Sequence, residues 1–194
     1  MIVIGVGCGP GMMTAEAMAR LRGAKAVYGS PRSLELARPY IQPDCEVSAI
    51  EDYSRLNELP EDAVALSTGD PMLAGLGHLG EEVLPGISSM QCAFARLRLP
   101  IARAVVVDAH GKDARAAMAE MLDEVARGKI PFALTGPDFD IDALAGMIVE
   151  REIECTIILC EDLGYPTEAI SFGTAERPPV ATSRLFSLIL AKGR

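Results

Sequence analysis

The chain is poor in the groups that usually announce a metal centre or a catalytic triad. Its 194 residues include two histidines, His78 and His110, and five cysteines, Cys8, Cys45, Cys92, Cys155 and Cys160, with no C-x-x-C pair among them. A zinc-type site needs several such ligands at short spacing, so no metal is expected. An odd number of cysteines, mostly in apolar stretches such as "CTIILC", points to reduced core thiols and to a cytoplasmic protein. Positive charge is also scarce. The formal net charge is -9, with 8 basic and 12 acidic side chains in residues 1–100 and 10 and 15 in residues 101–194. Neither half has the basic excess that binding a phosphate backbone requires, which excludes nucleic acid as the expected partner. Although 49% of the residues are hydrophobic, no apolar run approaches the ~18 residues of a membrane helix. Residues 2–6 read as a strand rather than as the apolar heart of a signal peptide.

What is present is a rhythm of apolar runs and helical patterns. Strands are expected over residues 2–6, 24–28, 46–50, 63–67, 104–109, 132–135, 155–161 and 185–190. Helices are expected over 14–22, with Thr14 as N-cap, and over 33–40, 89–97, 113–127 and 140–151. In "DARAAMAEMLDEVARGK", Ala117, Met121, Leu122 and Val125 share one helical face, and Gly128 follows as a stop. Near-continuous apolar strands alternating with helices make this an α/β protein around a mostly parallel sheet. The alternation weakens after about residue 103, where the strands become mixed and a proline-rich segment replaces a helix. The chain therefore reads as two α/β domains, 1–102 with a mostly parallel sheet and 103–194 with a mixed one.

The first strand runs into a glycine turn, "VGCGPG" at 6–11, and then a helix. A dinucleotide fingerprint fails there. Counting from Gly5 the third glycine would fall on Pro10, and counting from Gly7 it would fall on Met12. The second strand ends "VYGSPRS" without the acid that holds a ribose, and no glycine precedes Lys-Ser or Lys-Thr as in a P-loop. The same design nevertheless recurs twice. "STGDPMLAGLG" at 67–77 turns through Gly69-Asp70-Pro71, and "PGISSMQCAFARLRLP" at 85–100 turns through Pro85-Gly86 into Ser88 and Ser89. Three such turns at strand ends of one parallel sheet should line one carboxyl edge, where open α/β sheets bind ligands.

These three motifs, followed by "VVVDAHGKD" at 105–113 and "CEDLGYPTEAISFGT" at 160–174, resemble the tetrapyrrole (corrin/porphyrin) methylases. The likeness is greatest to the branch that methylates carbon 5 of a cobalt-precorrin in cobalamin biosynthesis. The resemblance implies two α/β domains with the active-site cleft between them, S-adenosyl-L-methionine as cofactor, a tetrapyrrole substrate and a homodimer. It places Gly7 and Pro10 at the floor of the substrate site. Gly69, Asp70, Leu73, Ser88 and Ser89 would contact the cofactor, joined by Leu134 and Thr135 from the second domain. Relatives carry a longer helix and a full strand before Pro-Gly, whereas here "LGHLGEEVL" at 76–84 must supply both.

Methyl transfer from a sulfonium to an electron-rich ring carbon needs alignment and dryness more than a base. His110, before a glycine at a strand end, is the candidate for proton handling, because imidazole gains or loses a proton near neutrality. A polycarboxylate substrate asks for local positive charge. Arg98 and Lys112 are the expected contacts, among Arg96, Arg103 and Arg115 nearby in sequence. Three rival readings keep some of these features: a methylase of the same fold acting at another precorrin position, a non-catalytic module for a nucleotide-like ligand, and an NAD-dependent oxidoreductase.

Overall fold

The strand β1 (Ile2–Gly5) is buried at Val3, Ile4 and Gly5, and β4 (Val64–Ser67) is buried throughout, as in strands covered on both faces. They belong to a computed structural model that describes residues 1–110 and 113–193. Contacts divide the chain into two units, Met1–Cys92 and Ala93–Arg194. The division falls within the helix Ser89–Leu97, whereas the sequence suggests 102/103.

In the first unit, β1 is followed by α1 (Ala15–Arg22), β2 (Ala26–Gly29), α2 (Pro31–Ala37), β3 (Glu46–Ala49), β4, α3 (Pro71–Ala74) and β5 (Glu82–Leu84). The sheet order is β3-β2-β4-β1-β5 and every pairing is parallel. Local chemistry sets the helix starts. The Thr14 hydroxyl accepts the Ala17 N–H at 3.2 Å, as expected of an N-cap. Ser30 does the same for Ser33 at 3.1 Å, with Pro31 opening the helix, so α2 begins before the expected residue 33. It ends at Ala37 because Pro39, in the 3-10 turn Arg38–Tyr40, cannot continue the ladder. Ala17, Leu21 and Ala37 pack with Ile4, Val27 and Leu66 in one apolar cluster. The short segment before Pro85 folds as the four-residue α3, a 3-10 turn Leu76–Leu79, and three residues of β5 that pair with β1.

The second unit holds the end of α4 (Ser89–Leu97), then β6 (Ala104–Ala109), α5 (Ala114–Ala126), β7 (Ile130–Thr135), α6 (Ile141–Glu150), β8 (Thr156–Glu161), β9 (Ala169–Gly173) and β10 (Phe186–Ala191). Its order is β6-β7-β10-β8-β9. The first pair, linked through α5, is parallel and the others are antiparallel, which makes the sheet mixed as expected. Asp113 and Asp140 cap α5 and α6. Ala117, Met121, Leu122 and Val125 are all buried on the predicted face of α5. The strand β9 is absent from the sequence reading. It is an edge strand, half-exposed along its length, and carries no continuous apolar run. Among the described residues no helix is long and apolar enough to cross a membrane.

Candidate functional site

The strands β4, β1 and β5 are parallel neighbours, so their carboxyl ends reach one edge together. There the three glycine turns interlock through their backbones. Gly7 and Gly69 exchange both hydrogen bonds, at 3.2 and 2.9 Å. The Cys8 N–H donates to the Ile87 carbonyl at 2.9 Å, and the Ile87 N–H to the Met12 carbonyl at 3.2 Å. Gly7 and Gly69 hold φ values of 80° and 70°, the left-handed region that glycine tolerates best. A methyl group at Gly86 would lie 2.7 Å from the Gly7 nitrogen and 2.8 Å from the Gly5 carbonyl carbon, and closer still to the Gly69 carbonyl oxygen. The turns are glycine-rich because three backbones meet in one place.

The side chains on this edge carry local work that the motifs alone do not reveal. Asp70 caps α3, its Oδ1 accepting the Met72 N–H at 2.8 Å; Oδ2 has no partner among the described residues. Ser88 and Gln91 form a capping box at the start of α4. The Gln91 Oε1 accepts the Ser88 N–H at 2.8 Å and its hydroxyl at 3.0 Å, while the Ser88 oxygen accepts the Gln91 N–H at 3.1 Å. Ser88 is buried, so its hydroxyl serves the helix start; Ser89 and Leu73 are half-buried and Pro10 is exposed. Gly7, Pro10, Gly69, Asp70, Leu73, Ser88 and Ser89 are therefore brought to one edge.

Two features here escaped the sequence reading. Cys8 and Cys92 are buried side by side, and the Cys8 thiol also reaches the Met12 sulfur at 3.3 Å. Burial pushes the Cys8 thiol up to about 12, the neighbouring Cys92 adds to the rise, and the Arg32 charge opposes it. Arg32, at the start of α2, donates to the Cys8 carbonyl at 2.7 Å. The sequence signal for Arg32 was its place just beyond the second strand, on the same edge.

In the second unit, β6 and β7 end together, with Asp108 opposite Leu134 and Ala109 opposite Thr135. His110 follows β6, exposed, its backbone N–H on the Asp108 carboxylate at 3.1 Å. A methyl at Gly136, just after β7, would lie 3.9 Å from the His110 Nδ1. His110, Leu134 and Thr135 thus share an edge. The Thr135 hydroxyl donates to the Phe186 carbonyl at 2.6 Å.

The basic residues fare differently. Arg98 is exposed at the end of α4 with φ 55°, its N–H on the Ala95 carbonyl at 3.3 Å. Arg96 pairs with Glu168 at 2.8 Å, and the Arg103 guanidinium donates to the Gly128 carbonyl. Lys112 lies outside the described residues. His78 is exposed in the 3-10 turn after α3.

The family model for Tetrapyrrole (Corrin/Porphyrin) Methylases matches residues 1–179. A probable cobalt-precorrin-7 C(5)-methyltransferase from Methanocaldococcus jannaschii is 32% identical over an alignment of 128 residues that covers 56% of this chain and 60% of that protein. The match thus spans less than two thirds of that relative's length. The crystal structure of a cobalamin-biosynthesis precorrin-6Y methylase from Archaeoglobus fulgidus superposes with a TM-score of 0.76 at 26% identity, covering 100% of this chain and 98% of that one. A uroporphyrin-III C-methyltransferase from Thermus thermophilus has the same fold, with a TM-score of 0.71 at 23% identity over 98% of this chain and 94% of its own. A family match over nearly the whole length, on a scaffold whose strand ends meet as described, leaves one assignment: the chain belongs to the tetrapyrrole (corrin/porphyrin) methylase family.

Proposed function

We propose that this protein is an S-adenosylmethionine-dependent C-methyltransferase that acts on a corrin precursor, with carbon 5 of a cobalt-precorrin as the acceptor. The observation that carries the reading is the interlocked edge of three glycine turns in a chain of this family. The choice of carbon 5 rests on the likeness to the Methanocaldococcus protein.

The residues present suit the cofactor. At Gly69 an added methyl would meet only the Ser88 Cα, at 3.9 Å, so the turn is open there, and the Asp70 Oδ2 is an acceptor without a partner among the described residues. In this reading Gly69, Asp70, Leu73 and Ser89 hold the cofactor, with Ser88 acting through the start of α4. Leu134 and Thr135 add contacts from the second unit. When bound, S-adenosylmethionine supplies an activated methyl group on a sulfonium. The chain's own contribution is to bind, align and exclude water, worth as much as ~7–11 kcal/mol of barrier in favourable intramolecular cases. Gly7 and Pro10 form the substrate floor, Arg98 and Lys112 meet carboxylates, and His110 accepts or returns a proton at its ring nitrogen. The protein works as a cytoplasmic homodimer.

Titration calorimetry with S-adenosylmethionine, S-adenosylhomocysteine and NAD, each alone, tests the cofactor. The first two should bind and NAD should not; binding of NAD alone would overturn the reading. Incubation with methyl-labelled cofactor and a cobalt-precorrin should place the label on carbon 5 by NMR. Label on another carbon would move the acceptor position, and cofactor binding without turnover on any corrinoid would reduce the protein to a passive module.

A further inference from the structure

The glycine turn after β1 is held at its ends by backbone bonds. Gly7 pairs with Gly69, and Met12 bonds to Gly9 and Ile87. The carbonyl of Cys8 lies between these anchors and is taken by Arg32 at 2.7 Å. This contact comes from far off in the sheet. Arg32 stands beyond the end of β2, and β4 separates β2 from β1. At a strand spacing of ~4.8 Å the side chain must bridge two intervals, roughly 10 Å, a distance that calls for one of the longest side chains in the protein repertoire. Arginine also keeps its charge at any physiological pH and is less strongly hydrated than lysine, so it can be half-buried at low cost. Its bond to the carbonyl is charge-assisted and correspondingly strong.

We propose that Arg32 is a positioning residue of the substrate floor: by holding the Cys8 carbonyl it fixes the turn that contains Gly7 and Pro10 in the shape that receives the tetrapyrrole. This rests on the function proposed above, since Gly7 and Pro10 are the floor in that reading. Arg32 does not touch the reacting atoms. It acts through the turn, which makes its effect fall on the macrocycle before the methyl donor.

The test is Arg32→Met, which retains an unbranched apolar stem and removes the donor. Hydrogen–deuterium exchange should quicken about tenfold in a peptide spanning residues 7–13 and stay unchanged over 26–37. The Michaelis constant for the corrinoid should rise about tenfold, while S-adenosylhomocysteine affinity and kcat stay within about threefold. Arg32→Lys should recover part of both effects, since an ammonium keeps one donor on a flexible stem. Unchanged exchange over 7–13 overturns the proposal, as does equal loss of corrinoid and cofactor affinity. If Arg32→Met does not fold, Arg32→Gln, too short to reach, is read by the same two measurements. A wild-type protein that methylates no corrinoid would refute the function proposed above, while exchange over 7–13 would still decide whether Arg32 holds the turn.

Discussion

Gly86→Ala should unlock the edge on which the whole site is built. The added methyl would stand 2.7 Å from the Gly7 nitrogen and 2.8 Å from the Gly5 carbonyl carbon, below the 3.0 Å that real Cβ contacts respect. Those neighbours are backbone atoms, so no rotamer change makes room. Gly7 is tied to Gly69, and Ile87 to Cys8 and Met12, by four backbone hydrogen bonds of 2.9–3.2 Å. Parting the strands enough to admit the methyl costs two to four of these bonds, ~2–4 kcal/mol at about 1 kcal/mol each. For a chain of this size 1 kcal/mol moves Tm by about 2–4 °C, so the expected fall is roughly 4–16 °C. The control is Gly146→Ala, inside α6 with nothing within 4 Å of the new methyl. It should raise Tm by about 1–4 °C through helix propensity alone. Differential scanning calorimetry reads both variants, and S-adenosylhomocysteine titration reads the site. A Gly86→Ala protein that melts within about 2 °C of wild type would show that the three turns do not interlock as described.

Arg98→Gly separates stability from binding. Relief of the left-handed φ of 55° should add about 1 kcal/mol of stability, while loss of a carboxylate contact raises the Michaelis constant for the corrinoid several-fold; an unchanged constant removes Arg98 from the substrate site. Cys8 should weaken the fold in alkali. Its thiol, pushed up to about 12 from an ordinary 9, keeps its proton in the fold while the unfolded chain ionises. Stability therefore falls as pH rises from about 9 towards 12, by at most ~1.4 kcal/mol per pH unit, and urea titrations of Cys8→Ala should show a shallower decline. Glu161→Gln should loosen the second unit. The buried carboxylate accepts the Thr182 and Ser183 N–H groups, each at 2.6 Å, and the Thr182 hydroxyl at 3.0 Å. All three donors share Oε1, where an amide oxygen can still accept them, so the substitution removes the charge assistance of these bonds and should cost ~1–3 kcal/mol in urea unfolding.

Much of this architecture was legible because single residues announce it. Thr14, Asp113 and Asp140 mark helix starts by their chemistry, and the three Gly/Pro turns mark the edge. What was not legible depends on partners remote in sequence. The sheet order that lets Arg32 reach Cys8 is written in no local pattern. The adjacency of Cys8 and Cys92 follows from the docking of α4 against the first turn. Ser88 looked like a ligand contact because a serine at a helix start has two readings; Gln91, three residues on, was the mark of a capping box. The strand β9 escaped because half-exposed edge strands lack the apolar run that marks a covered one.

The placement of β10 has a consequence for biosynthesis. This strand, the last among the described residues, lies third of five in its sheet, between β7 and β8, with all six residues buried. The first unit has every strand in hand by Leu84 and can close while the ribosome is still at work. The second must wait with two half-sheets, their inner edges unsatisfied, until residues 186–191 emerge and zip them together. A premature stop shortly before Phe186 would therefore leave not a slightly trimmed protein but a finished amino-terminal half tethered to a sticky, open one, a natural client for chaperones and proteases.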